Sequence, residues 1–458
     1  MKNDQFSGRR VSADRRDIHG ALVGHHFHVT FASKFIPFLI WGGQMIRGTT
    51  KTIVGAALIA AGAIGSAQAG GLERSSQDFD ILFEPGTRIE SGVTFVMPQR
   101  KLRNIRGSAV GTATGGINPR TGRPYKTSVD EAVDYAVPKF SAKVDLNDDL
   151  ACAAQYREPI GIHTDVGTDT AAMYVAIEQE ITSRDYGLNC SYRFVAGEKG
   201  YFRILGGVSY QEVEGYQSRF LPRGFPDNPL GRLEGFRTGY LNVEDKSWGW
   251  RLGAAYEIPE YALRASVVYQ SRVKYNLEGT ITGLFSQTVP VIPVEGEAEV
   301  PDSVEVKFQT GIAPNWLAFG SVKWTNWSIV KDIPFYNTAA GLIPVGARIT
   351  GLDLYYQDGW TISGGVAHKL NDQWSVASSL TWDRATTTGL TSQTDVWTLG
   401  LGTVYSPNER FEVRLAGVVG LLTSGTMDNR RTSGLAGYVA DFDDDFVGAL
   451  SISAKLKF

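Results

Sequence analysis

A two-residue alternation of apolar and polar side chains returns segment after segment and finally closes this chain. In the last stretch Phe446, Gly448, Leu450, Ile452, Ala454, Leu456 and Phe458 form one set, with Val447, Ala449, Ser451, Ser453, Lys455 and Lys457 between them. A period of two puts the two sets on opposite faces of an extended strand. "YALRASVVYQ" sets Tyr261, Leu263, Ala265, Val267 and Tyr269 against Arg264, Ser266 and Gln270, and "WGWRLGAAYE" sets Trp248, Trp250, Leu252, Ala254 and Tyr256 against Arg251 and Glu257. Trp374, Val376, Leu380 and Trp382 share a face in "WSVASSLTW", as do Phe411, Val413, Leu415, Val419 and Leu421 in "FEVRLAGVVGL". Each run is about ten residues long, the length with which a tilted strand crosses a bilayer.

The connections fit that reading. "LNDQ" at 370–373 and "SPNER" at 406–410 are tight polar turns, whereas 214–239 and 285–303 read as long loops. Short turns on one rim and long loops on the other are expected of an outer-membrane barrel, the long ones outside. Closure follows from lipid: a sheet edge there would leave backbone groups unpaired at several kcal/mol each, so first and last strands must meet. The alternative is a soluble sandwich. Against it, the polar faces carry Gly, Ser, Thr, Arg and Lys suited to a wet lumen, and aromatics gather near strand ends, as in "WTNW" at 324–327. The resulting fold class is all-β, an antiparallel transmembrane barrel of fourteen strands, within two.

Export is legible near the start. Arg47 and Lys51 precede an apolar run from Ile53 to Ile64 and then Ala67-Gln68-Ala69, the order of a signal peptide over 45–69 with a mature chain from Gly70. Residues 1–44 stand outside that pattern and are read as a misannotated leader. His19, His25, His26 and His28 fall there and are not taken as a metal site. Composition agrees with strands: 20% of residues are charged, with 52 Gly, 22 Phe, 19 Tyr and 10 Trp. A net charge of -3 gives no reason to expect nucleic acid. Cys152 and Cys190, both in the exported part, are either a disulfide closing a loop of about 37 residues or two thiols.

Residues 70–88, "GGLERSSQDFDILFEPGTR", precede the first strand, and 89–458 form the barrel. Phe79, Ile81, Leu82 and Phe83 would either plug the lumen or sit in a loose periplasmic tail; in the plug they touch ligand or simply pack the wall. Pro159 and Gly161 mark a strand break in "LACAAQYREPIGIHTDVG", and 115–127 is loop. "DFDDDF" at 441–446 is read as a solvated loop able to meet divalent ions, not as a calcium loop.

Read in order, "GGLERSSQ…ILFEPG", "CAAQYREPIG", "VKFQTGIAPNWLAFGSVKWTNWS", "YYQDGWTISGGVAHKLNDQWSVASSLTWDRA" and the terminal strand resemble the FadL family of outer-membrane transporters for long-chain fatty acids and other hydrophobic compounds. The resemblance implies fourteen strands, an N-terminal hatch inside the lumen, an apolar pocket, and a kinked third strand within 150–182 that opens the wall sideways. Phe83-Glu84-Pro85-Gly86 stands where the family's hatch carries an Asn-Pro-Ala-Gly type motif. The family usually works as a monomer.

The function expected is passive uptake of a hydrophobic small molecule or fatty acid, with a general diffusion porin as the alternative. Ligand-contacting candidates are Phe79, Ile81, Leu82 and Phe83, with Arg157 and Arg203 for a carboxylate head. Lys455 and Lys457 are read as generic lining. His163 and His368 lie in no nucleophile motif, so an enzyme is not expected, nor a cofactor or metal. Outer-membrane lipid and lipopolysaccharide, and the barrel-assembly machinery at Phe458, are the remaining expected partners.

Overall fold

The computed structural model describes residues 71–75, 79–221, 237–284, 291–341 and 343–458. The expected leader and signal peptide lie outside these residues. The chain forms one closed antiparallel sheet whose nineteen hydrogen-bonded segments make fourteen strands, because five strands are each interrupted once. They are β1 Arg88–Pro98, β2 Tyr135–Asp145, β3 Leu150–Arg157 with Gly161–Asp165, β4 Glu178–Ala196, β5 Gly200–Leu221, β6 Arg237–Ile258 and β7 Leu263–Gln270 with Val273–Thr282. The others are β8 Val291–Val300 with Ser303–Ala313, β9 Trp316–Thr325 with Asp332–Asn337, β10 Arg348–Asp353 with Gly359–Lys369, β11 Trp374–Asp383, β12 Val396–Asn408, β13 Phe411–Leu422 and β14 Asp445–Lys457.

The ring closes between β1 and β14, in register from Arg88 opposite Lys457 to Pro98 opposite Val447. The terminal alternation therefore has its use. Phe446, Leu450, Ile452 and Leu456 are exposed on the outer wall while Ser453 and Lys455 are buried inside. On β6, Trp248, Trp250, Leu252 and Tyr256 face out and Arg251 is 3% exposed. Large exposed apolar side chains would be a liability in water, but on a barrel they are the lipid-facing band.

Two expected loops are shorter than the sequence implied. β5 runs to Leu221 and β6 resumes at Arg237, and Val291–Val300 inside the expected 285–303 loop is strand. Proline and glycine obscured the latter run; Pro293 points outward and Gly296 lets the Phe335 ring lie against the inner wall. Tight turns such as 146–149, 197–199 and 370–373 gather at one end, and long connections at the other. There Lys101–Arg106, Val129–Asp130, Gly425–Asp428 and Val439–Phe442 build a small separate sheet packed through Leu102, Ile105, Met427, Tyr438 and Phe442.

Candidate functional site

The N-terminal segment runs along residues that the alternation places inside the barrel. At the short-turn end Asp80–Phe83 forms one 3-10 turn, ended by Pro85-Gly86. Its Phe79, Ile81, Leu82 and Phe83 pack with Ala151, Ala153, Leu205 and Ala255 from β3, β5 and β6. Small alanines on the strands leave the room that the larger side chains fill. The segment's charges are matched too: Asp80 meets Arg264 at 2.5 Å and Lys307 at 3.2 Å. Glu84 meets Lys455, Arg88 at 3.1 Å and Arg414 at 3.8 Å. Arg414 and Lys455 also hold Glu90, at 3.3 Å and 3.1 Å, and Lys457 holds Glu412 at 2.7 Å.

Higher up, Gly71–Ser75 lies against the break in β3, and the bonds there account for the backbone groups that the break frees. Arg74 N–H donates to the Pro159 carbonyl at 2.8 Å, Gly161 N–H donates to the Leu72 carbonyl at 2.8 Å, and the Ser75 hydroxyl donates to the Glu158 carbonyl at 2.8 Å. Ser183 Oγ accepts from Ile160 N–H at 2.8 Å and donates to the Ile160 carbonyl at 2.7 Å. Below the break β3 pairs with both neighbours; above it Gly161–Asp165 pairs with β4, and the β2–β3 ladder stops at Phe140 opposite Tyr156. The wall thus has a gap between Tyr135–Lys139 and Gly161–His163, bounded above by the Ala132–Thr164 bridge and by Asp165 N–H donating to the Glu131 carbonyl at 3.0 Å. On its inner side the Arg74 guanidinium lies 4.2 Å from the Tyr135 ring centroid.

Beside this break is a predominantly apolar cavity that opens in part to solvent. Leu72 and Ile160 line it together with Trp327, and the inner faces of β5 to β8 supply Val213, Leu241, Val243, Leu277 and Val300. Trp327 also explains Gly71: φ is +62°, and a Cβ there would sit 2.5 Å from the indole ring. Tyr275 lines the cavity but its hydroxyl donates away, to Gln211 Oε1 at 2.9 Å.

Over the long-loop end, Glu131 is buried against the Ser392 hydroxyl, and its backbone N–H donates to the Arg100 carbonyl at 2.9 Å. Burial pushes its carboxyl up to about 7. Asp441, by contrast, is exposed to solvent on one side, and the Arg106 guanidinium beside it holds its carboxyl below the usual range.

The side chains singled out in the sequence fall mainly around the N-terminal segment. Phe79, Ile81, Leu82 and Phe83 pack against the alanines of β3 and β6 and Leu205 of β5 and are absent from the cavity lining. Arg157 and Arg203 both point into the lumen, where Arg157 meets Asp185 at 3.0 Å and Arg203 meets Glu257 at 2.8 Å. Each also donates to the N-terminal segment, Arg157 to the Ser75 carbonyl at 3.3 Å and Arg203 to that of Leu82 at 3.2 Å. Lys455 and Lys457 belong to the buried ion network. Cys152 and Cys190 sit opposite each other on β3 and β4 and are joined in a disulfide. His163 pairs with Glu178 at 3.0 Å and His368 stacks on Trp316 near a short turn. Three of the acidic residues in "DFDDDF" are tied to arginines, Asp441 to Arg106, Asp443 to Arg103 and Asp445 to Arg100. Among the described residues no group of three or more His, Cys, Asp or Glu is placed to hold a metal ion. Leu72, Ile160 and Trp327 were missed; Trp324 lies at a strand end as an interfacial aromatic should, but Trp327 turns inward and is 2% exposed.

A family model described as outer membrane protein transport protein (OMPP1/FadL/TodX) matches residues 79–417. The long-chain fatty acid transport protein of Salmonella typhi is 21% identical over 258 residues, 50% of this chain and 59% of that protein. That of Escherichia coli K12 is 19% identical over 269 residues, 50% of this chain and 60% of that protein. The matched region thus spans less than two thirds of either relative. Among solved structures, a Pseudomonas aeruginosa FadL homologue is similar with a TM-score of 0.70 at 16% identity, covering 83% of this chain and 92% of that one. The Pseudomonas putida toluene transporter TodX is similar with a TM-score of 0.57 at 15% identity, again covering 83% and 92%.

Proposed function

The chain belongs to the OMPP1/FadL/TodX family of outer-membrane transport proteins, and from that premise we propose that it carries hydrophobic compounds passively through the outer membrane. It is a multi-spanning barrel of the outer membrane of a Gram-negative bacterium, in a family of transporters rather than enzymes. In this reading residues 45–69 direct export, 70–88 form a hatch within the lumen of the 89–458 barrel, and the long-loop end faces outside.

One observation carries the proposal: Leu72 and Ile160 line the apolar cavity and also belong to the pair of segments that meet at the wall gap. A ligand settling in the cavity gains roughly 0.8 kcal/mol for each CH₂ removed from water. It leaves when Gly71–Ser75 shifts, because that segment separates the cavity from the gap between β2 and β3. The exit is sideways, toward lipid, and the charged plug below stays shut. Neither step needs an energy source. Phe79 to Phe83 then serve by packing the plug, and Arg157 and Arg203 by anchoring it. Phe458, 75% exposed beyond β14, is free for the barrel-assembly machinery, and a monomer in lipid and lipopolysaccharide suffices for the route.

The test compares uptake of a radiolabelled hydrophobic probe by cells producing the chain with uptake by vector controls, alongside planar-bilayer recordings of the purified protein. Uptake without appreciable ion current is expected. A steady ohmic current through the unmodified protein would favour the porin alternative and defeat a closed plug.

A further inference from the structure

Resting on the transport reading above, we infer that the compound carried is uncharged, a hydrocarbon or its neutral derivative, and that the ionised carboxylate of a fatty acid is rejected at the cavity. No lysine, arginine or histidine is among the described residues lining the cavity, and the two glutamates of its lining, Glu214 and Glu299, lie in the outward-facing sets of β5 and β8. A carboxylate head would therefore arrive in an apolar chamber without a cation to meet it. Desolvating an ion that finds no partner is heavily disfavoured.

Cations around the chamber are engaged within the protein: Arg74 lies over the Tyr135 ring at the gap, and others pair with carboxylates. Lys323 is bound to Glu73, Arg184 meets Glu214 at 2.7 Å, and Arg272 and Lys274 meet Glu299 at 3.1 Å and 3.2 Å. Arg157 and Arg251 share Asp185, which leaves one formal positive charge in that cluster. That charge does not reach the cavity wall. Arg251 is 3% exposed and Arg157 7%, and the Tyr275–Gln211–Asp185 chain of hydrogen bonds stands between them and the chamber. Because the Tyr275 hydroxyl donates to Gln211, the phenol presents its ring rather than its proton. Gln179 and Gln217 remain as neutral polar groups, compatible with a hydroxyl, carbonyl or ring edge but unable to neutralise an anion.

Matched probes of one shape decide the matter: naphthalene and 2-naphthoate, each radiolabelled and offered at neutral pH to cells producing the full chain, with vector cells subtracted. Two variants that fill the chamber, Leu241→Trp and Leu277→Trp, are run in parallel, with folding checked by the heat-dependent gel mobility of the barrel. The expected result is protein-dependent naphthalene uptake exceeding that of naphthoate about tenfold or more, and falling to the vector level in a correctly folded filling variant. Naphthoate uptake equal to or above that of naphthalene, and lost in the same variants, overturns the selectivity and leaves transport standing. Uptake of neither probe above vector overturns the transport reading and this inference with it. Naphthalene uptake that persists in both folded filling variants overturns the assignment of selectivity to this cavity.

Discussion

The lumen near the short turns and the lumen near the long loops are lined by the same alternating strands, yet they are filled in opposite ways. Below, Glu84, Glu90 and Glu412 interlock with Arg88, Arg414, Lys455 and Lys457, and Phe79, Ile81, Leu82 and Phe83 of the N-terminal segment pack beside them. Above, β5 to β7 present Val213, Leu241, Val243 and Leu277 to open space, and Gly71–Ser75 contributes a few backbone bonds, one cation–π contact and a single ion pair, Glu73 with Lys323. A buried ion network is hard to open because losing one partner strands the others. An apolar wall has no such directional demand, so it tolerates a void and an occupant. On the proposed transport reading, the difference separates two tasks, sealing at one end and admitting a ligand at the other.

The contrast breaks most sharply at Glu84. Glu84→Ala leaves Lys455, Arg88 and Arg414 buried with less counter-charge, and a loss of about 3–5 kcal/mol is expected in urea unfolding of the reconstituted barrel. A loss under 1 kcal/mol would mean that the ion network does not hold the plug. The roof above the cavity should respond to pH instead. Burial raises the Glu131 carboxyl from its ordinary 4.5 to about 7, so over that interval the folded chain keeps a proton that the unfolded chain releases. The associated stability is full below the unfolded value and is lost as pH rises through about 7, by about 3 kcal/mol in total. Glu131→Gln should flatten that slope, measured by unfolding between the two limits. In the cavity wall itself, Leu241→Ala should cost about 2 kcal/mol, the low end for a buried leucine, because its neighbours already border open space.

How far the sequence could be read follows the same division. The strand count, the outward faces and the strand break at Pro159 and Gly161 were visible, since period-two patterning and prolines act locally. The apolar cluster at Phe79–Phe83 was visible too, being a dense run between acidic residues. The cavity was not: Leu72, Ile160, Leu241 and Trp327 are far apart in the chain and become neighbours through barrel closure. Trp327 also misled, because a tryptophan next to a strand end has the same local signature whether it faces lipid or turns inward beneath the loops. The small roof sheet, joining 101–106 with 425–442, depends on contacts too distant in sequence for any local pattern to announce.

The smallest effect is also the most specific to the upper half. Gly161 is where the Arg74 side chain crosses the broken strand on its way to Tyr135, and a Cβ at this position would meet the Arg74 guanidinium and its stem. Gly161→Ala should therefore push Arg74 off the ring at a cost of about 1 kcal/mol, the size of a partly exposed cation–π contact. Arg74→Ala removes the same contact by a different route. If the two changes act through one bolt across the gap, the double variant should lose little more stability than either single one, and all three should take up the hydrophobic probe faster than the parent. Additive losses with unchanged uptake would show that Arg74 and Gly161 stabilise the kink separately and that the gap is kept shut by something else.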